Sequence, residues 1–172
     1  STWQRPQRCH SEKRASILGW AESQFGLGGQ EWGATRFTET NKRYVSTVSE
    51  ELVLPPTHYQ VAGLPTIYVR GAIPRLTTAA ALEWGGKATR SVIELNDQES
   101  VDLYYSRETQ TLDSDLKSGV YIPRFQGYPL GLSYIKESEV GSQRVLISEY
   151  PKRIELAEGC SAFEGPDAAE RS

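Results

Sequence analysis

The residues able to do chemistry are few, and their spacing keeps most of them apart. Histidine occurs twice, as His10 and His58. No Ser/His/Asp or Cys/His set can be assembled from so small a supply. Cys9 and His10 are neighbours in the chain, but adjacency alone does not give a nucleophile a hydrogen-bonded base. The two cysteines, Cys9 and Cys160, lie near opposite ends. They lack the paired C-x-x-C spacing of a zinc site. The ends of an up-and-down β fold often meet, so a disulfide and two free thiols both stay open. Asp113-Ser114-Asp115 starts like a calcium loop but lacks the later ligands and the closing glutamate. Gly26-Leu27-Gly28-Gly29 follows a helical pattern rather than a strand, so it reads as helix termination and not as a dinucleotide fingerprint.

What remains is arginine and aromatic residues on strand-like runs. Val120 and Ile122 share one face of their run, while Tyr121, Pro123 and Phe125 share the other. Leu130, Leu132 and Tyr134 align in the next run, and Val145 and Ile147 flank Leu146. An inner face that joins rings to arginine suits a planar, acidic ligand, because rings stack and a guanidinium pairs with a carboxylate. The same residues also read as ordinary surface tyrosines and arginines.

The elements that must position these side chains are mostly strands. Residues 1–10 read as an extended basic arm. Ser11 is placed to cap a helix over 11–25, with Glu12 in its first turn. Ala15, Leu18, Ala21 and Phe25, with Ile17 beside them, recur at helical spacing. Beyond residue 30 the pattern changes to short alternating runs. Strands are expected over 32–40, 43–53, 58–62, 65–73, 76–84, 88–95, 100–106, 119–125, 129–136 and 143–150. Asn41-Lys42 and Gly85-Gly86 are the expected hairpin turns, with further turns over 96–99 and 139–142. Pro55-Pro56 interrupts pairing, since proline donates no ladder bond. Residues 107–118 read as a solvated loop, and 158–172 as an acidic tail.

The fold class expected is all-β, in a single domain over 1–172. A closed antiparallel up-and-down barrel of about eight to ten strands over 31–157, with one short N-terminal helix, suits the strand spacing. A β-sandwich is the alternative. The 172 residues, 38% hydrophobic, can build a core without metal or disulfide staples. A net charge of −3 argues against a general nucleic-acid binder. No run is long and apolar enough to span a bilayer, and the N-terminus shows no secretory pattern. The chain starts at Ser1 and has no methionine, which suits a processed product or a fragment. Arg5, Arg8, Lys13 and Arg14 make a basic start opposite the acidic Glu164, Asp167 and Glu170.

Three islands carry a family resemblance. The first is Trp32-Gly33-Ala34-Thr35-Arg36, a Trp-x-x-x-Arg step expected on the first strand. The second is Gly119–Tyr128, which contains Arg124-Phe125-Gln126-Gly127-Tyr128. The third is Val145–Tyr150, an apolar run ending in Ser148-Glu149-Tyr150. In order and approximate spacing they resemble the S/U-type phycobiliprotein (bilin) lyases, which are calycin-fold, lipocalin-like barrels with an N-terminal helix. The resemblance implies a barrel that holds a bilin, a linear tetrapyrrole, and delivers it to a cysteine of an acceptor protein. It also implies a cyanobacterial cytoplasm or plastid. The family's Arg-x-Trp-Phe and Pro-Asn-Leu-Arg-Leu-Arg segment is replaced here by Pro151-Lys152-Arg153-Ile154-Glu155-Leu156. That departure separates the barrel from the lyase activity.

Two functions are expected from different classes. The first is a carrier of a hydrophobic, acidic small molecule such as a bilin. In it Arg36 and Arg124 pair with carboxylates, and Trp32, Tyr128 and Tyr150 pack against the ligand. Each also reads as structural, Trp32 as core and Arg36 as surface charge. The second is a non-enzymatic assembly subunit, capsid-like or part of a complex, that docks neighbours with its β faces and charged termini. A cavity separates the two readings, since a binder needs one and a packed assembly subunit does not.

Overall fold

The computed structural model describes residues 7–39, 42–53 and 62–152. The N-terminal helix α1 spans Ser11–Phe25, as its periodicity predicts. Its buried face is Ile17, Ala21 and Phe25, while Ala15 stays exposed. Ser11 does not cap it: His10 holds the N-cap position, and no side chain accepts a bond there. Gly26 ends the helix in the left-handed region at φ 69°, and its N–H reaches the carbonyls of Ala21 and Glu22. A side chain at this position would run into Thr89, whose N–H bonds Phe25 O at 3.0 Å.

A short helix, α2 (Gly29–Trp32), follows at once, so Trp32 is helical rather than on the first strand. Glu31 Oε2 accepts from Gly28 N at 2.8 Å and closes its start. Five strands then build one sheet: β1 (Gln7–Arg8), β2 (Thr35–Glu39), β3 (Tyr44–Ser49), β4 (Leu64–Tyr68) and β5 (Arg75–Leu76). They pair antiparallel in chain order. A register shift between Val45 and Ser46 breaks the β3–β4 ladder. This sheet is curled into a half-barrel. Asn41 of the turn expected at Asn41-Lys42 and most of the strand expected over 58–62 lie outside the described residues.

Two expected strands are helices. Residues 76–84 give β5 and then α3 (Thr78–Trp84). The Thr77 hydroxyl accepts from Ala80 N at 3.1 Å, and Ala79-Ala80-Ala81 are the best helix formers in that stretch. Residues 100–106 belong to α4 (Gln98–Ser106), capped by Asp97, whose Oδ1 accepts from Ser100 N at 2.7 Å. Alternation of Val101, Leu103 and Tyr105 mimics a strand, but the helix buries Val101 and Tyr104. Gly85-Gly86 is no hairpin turn either; with Lys87 it makes a 3-10 turn after α3.

The second sheet holds β6 (Val92–Leu95), β7 (Gln110–Leu112), β8 (Gly119–Phe125), β9 (Tyr128–Pro129), β10 (Ser133–Glu137) and β11 (Arg144–Ser148). Their order is β6-β8-β10-β11-β7, with β9 beside β8. β6 and β8 are parallel. A parallel pair needs a crossover, and α4 lies on that connection. The expected loop over 107–118 therefore contains an edge strand, β7, anchored by the buried Gln110. The fold is β-rich, and the described residues form four α-helices and two sheets. Among the described residues neither sheet closes into a hydrogen-bonded ring.

One core joins the layers. Ile17, Ala21 and Phe25 of α1 and Ala80, Ala81 and Trp84 of α3 pack with Phe37, Val45 and Ile67 of the first sheet and Ile122 of the second. A smaller cluster seats Val101 and Tyr104 of α4 on Leu95 and Leu146. No described helix is long and apolar enough to cross a membrane.

Candidate functional site

A cavity of about 400 Å³ lies where α1 meets both sheets. Trp20, Gln24 and Phe25 of α1 form one side, and Ile73, Pro74, Arg75 and Leu76 form another. Ser118, with Gly119 and Val120 of the second sheet and with Leu132, Tyr134 and Glu149, completes it. Helical spacing brings Trp20, Gln24 and Phe25 to one side of α1. Trp20 meets Phe25 edge-to-face, with ring centroids 5.8 Å apart. Gln24 Nε2 donates to Ser91 Oγ at 3.2 Å, which holds the amide in place. Arg75 and Glu149 are exposed at this cavity, and among the described residues neither is ion-paired. The arrangement is an apolar, aromatic pocket that carries the Arg75 cation and the Glu149 anion.

A second cavity, about 290 Å³, lies beside β1 and β2 and is lined by Arg8, Cys9, Arg14, Thr35, Arg36, Phe37 and Glu50. Arg36 Nη2 donates to Leu52 O at 2.9 Å, and the Arg14 guanidinium lies 5.9 Å from the Phe37 ring centroid. Cys9 is a free, buried thiol. Burial pushes its pKa up, Glu39 adds to the effect, and Lys13 and Arg14 oppose it. The thiol is therefore protonated at neutral pH and a poor nucleophile. Cys160 lies outside the described residues.

The five residues singled out from the sequence are dispersed. Trp32 is buried, donates Nε1–H to Leu27 O at 3.0 Å, and packs against Phe37 and Trp84. Arg36 lines the smaller cavity. Arg124 has a protein partner on every guanidinium nitrogen. Nε and Nη2 meet Glu94 Oε1 at 2.7 and 2.6 Å, and Nη1 donates to the Gly86 and Ala88 carbonyls. Tyr128 is 74% exposed at the β8–β9 turn. Tyr150 packs edge-on against Tyr104 and Tyr105, and its carbonyl accepts from Arg107. Of the five, only Arg36 lines either of the two cavities.

Comparison with protein-family models finds no match, and comparison with curated proteins finds none.

Sequence reasoning missed Trp20, Gln24 and Arg75. Trp20 and Gln24 carry a weak signal, since Trp20 sits one residue before the buried Ala21 and Gln24 one before Phe25. Arg75 carries none, because its place depends on a two-residue strand that only pairing with β4 defines. Among the described residues no group of three His, Cys, Asp or Glu side chains could hold a metal.

Proposed function

We propose that this protein binds a small molecule with a planar apolar body and an acidic group, in the cavity between α1 and the two sheets. The carrying observation is the cavity itself: about 400 Å³, walled by Trp20, Phe25, Leu76, Val120, Leu132 and Tyr134, with Arg75, which is not ion-paired among the described residues. That volume falls in the lower part of the ~300–1,000 Å³ range of small-molecule sites. Rings stack on the aromatic wall, and Arg75 pairs with the acid.

The narrower form of the reading takes the ligand as a bilin held in a calycin-like barrel and passed to an acceptor cysteine. The curled first sheet and the resemblance of the three islands support it. A linear tetrapyrrole offers carboxylates to Arg75 and ring N–H groups to Glu149. The chain's part in such a transfer is to hold and orient the chromophore and keep water from it.

Titration of the protein with linear tetrapyrroles and fatty acids, followed by tryptophan quenching and ligand absorbance, tests the reading. Saturable binding is expected, weakened about tenfold by Arg75→Ala through loss of one charge-assisted pair. Tetrapyrroles binding in preference to fatty acids supports the narrower form. No saturable binding by a folded, monodisperse sample overturns the carrier reading and leaves the assembly subunit in its place.

A further inference from the structure

The smaller cavity has a different chemistry from the apolar one. Three guanidinium groups, from Arg8 on β1, Arg14 on α1 and Arg36 on β2, line it together with a single carboxylate, Glu50. The whole chain carries a net charge of −3, so this local excess of positive charge runs against the molecule's own balance. Among the described residues no carboxylate is ion-paired with any of the three. Glu39, on the same strand as Arg36, is paired instead with Lys13. Like charges that share one cavity repel, and an anion between them removes that cost.

The arginines come from three elements, and two of them are oriented. β1 pairs with β2 in the register Arg8↔Thr38, which brings the start of the chain alongside Arg36 and Phe37. Arg14 sits one helical turn into α1, with its guanidinium at the Phe37 ring. Arg36 is half-buried and fixed through Nη2 to Leu52 O, which leaves Nε and Nη1 as donors. Thr35 does not contribute a donor, since its hydroxyl is given to Trp32 O.

We propose that this cavity is an anion site for a phosphate group, either inorganic phosphate or the phosphate of a small phosphomonoester. Planar guanidinium forks match the tetrahedral oxygens of phosphate, and a doubly charged group makes fuller use of three cations than a carboxylate does. The Phe37 ring and the cavity's size leave room for a small organic body beside the phosphate. The site is separate from the apolar cavity, since the two share no lining residue.

Calorimetric titration of the protein with inorganic phosphate, phenyl phosphate and acetate at low and physiological salt tests the site. Arg36→Gln, Arg14→Gln and Lys136→Gln serve as variants, each checked for folding by circular dichroism. Saturable binding of phosphate or phenyl phosphate is expected, tighter than acetate and weaker at higher salt. Arg36→Gln and Arg14→Gln should each weaken it roughly tenfold or more, while Lys136→Gln, on the second sheet, leaves it unchanged. If Arg36→Gln fails to fold, the exposed Arg14→Gln decides alone. Absence of saturable phosphate binding, equal binding of acetate, or an equal loss in Lys136→Gln overturns the proposal.

Discussion

The Ser46 hydroxyl is buried and, among the described residues, without a hydrogen-bond partner, at the register shift between β3 and β4. Its neighbours are satisfied: Thr38 donates to Ala62 O, and the Thr47 and Thr66 hydroxyls bond each other at 2.7 Å. A buried hydroxyl with no partner has lost its water and gained nothing in return. Ser46→Ala should therefore raise stability by about 1 kcal/mol, measured by chemical denaturation. Tyr104 is the opposite case. Its ring is fully buried and its hydroxyl donates to Leu132 O at 3.0 Å. Burial holds its pKa well above the ordinary tyrosine value of 10.0. The unfolded chain therefore loses this proton first, so the tyrosine's contribution is present below pH 10.0 and fades as pH rises beyond it. Tyr104→Phe should cost about 0.5–1.5 kcal/mol at neutral pH and flatten the alkaline fall of the stability curve. The cost stays modest because Leu132 O still accepts from Glu149 N.

At the scale of elements, caps and close approaches decide what the alternating pattern does not. α4 starts where Asp97 accepts from Ser100 N. That bond lowers the Asp97 pKa from 3.8. The cap's contribution is thus present above that value and lost as pH falls through the lowered one. Asp97→Asn keeps an N-capping oxygen, so helical circular dichroism should lose its acid dependence on this cap while the helix persists at neutral pH. Gly85 joins α3 to its 3-10 turn with φ −61°, so its backbone needs no glycine. Its surroundings do: a Cβ would sit 2.9 Å from both Ile122 Cγ2 and Pro129 Cβ. Gly85→Ala should destabilise by about 1–3 kcal/mol through overpacking, despite alanine's better helix propensity. Equal thermal midpoints for variant and parent would place α3 farther from β8 and β9 than this. Arg124 works at the same scale. It ties β8 to Glu94 of the parallel neighbour β6 and to the carbonyls of Gly86 and Ala88.

Across the whole molecule, the two sheets share a core through α1 and α3. Neither the Phe37–Val45–Ile67 face nor Ile122 can be exposed without uncovering the other's packing partners. Unfolding in denaturant should therefore be a single transition, with far-ultraviolet circular dichroism and tryptophan fluorescence superimposing. Two separated transitions would mean that each sheet folds around its own core. The cavities also belong to this scale. The larger one opens only where α1, the β5 region and the second sheet come together, and the smaller one only where β1 lies beside β2 and α1.

The amino-acid sequence by itself determined α1, whose apolar residues recur at helical spacing up to Gly26. It also determined the β-rich character and the strands over Thr35–Glu39, Tyr44–Ser49, Gly119–Phe125 and Arg144–Ser148, although each of them buries consecutive residues and so both of its faces. α3 and α4 were read as strands, because short runs such as Val101–Tyr105 satisfy both periods at once, and the caps at Thr77 and Asp97 emerged only with the structure. Of the candidate ligand-binding residues, the sequence pointed to Arg36 but could not place Arg8 and Arg14 beside it. Tertiary structure alone decided that grouping, the parallel β6–β8 pairing and the cavity holding Trp20, Gln24 and Arg75. Periodicity records which way a side chain faces, whereas pairing and packing between distant segments decide which side chains it meets.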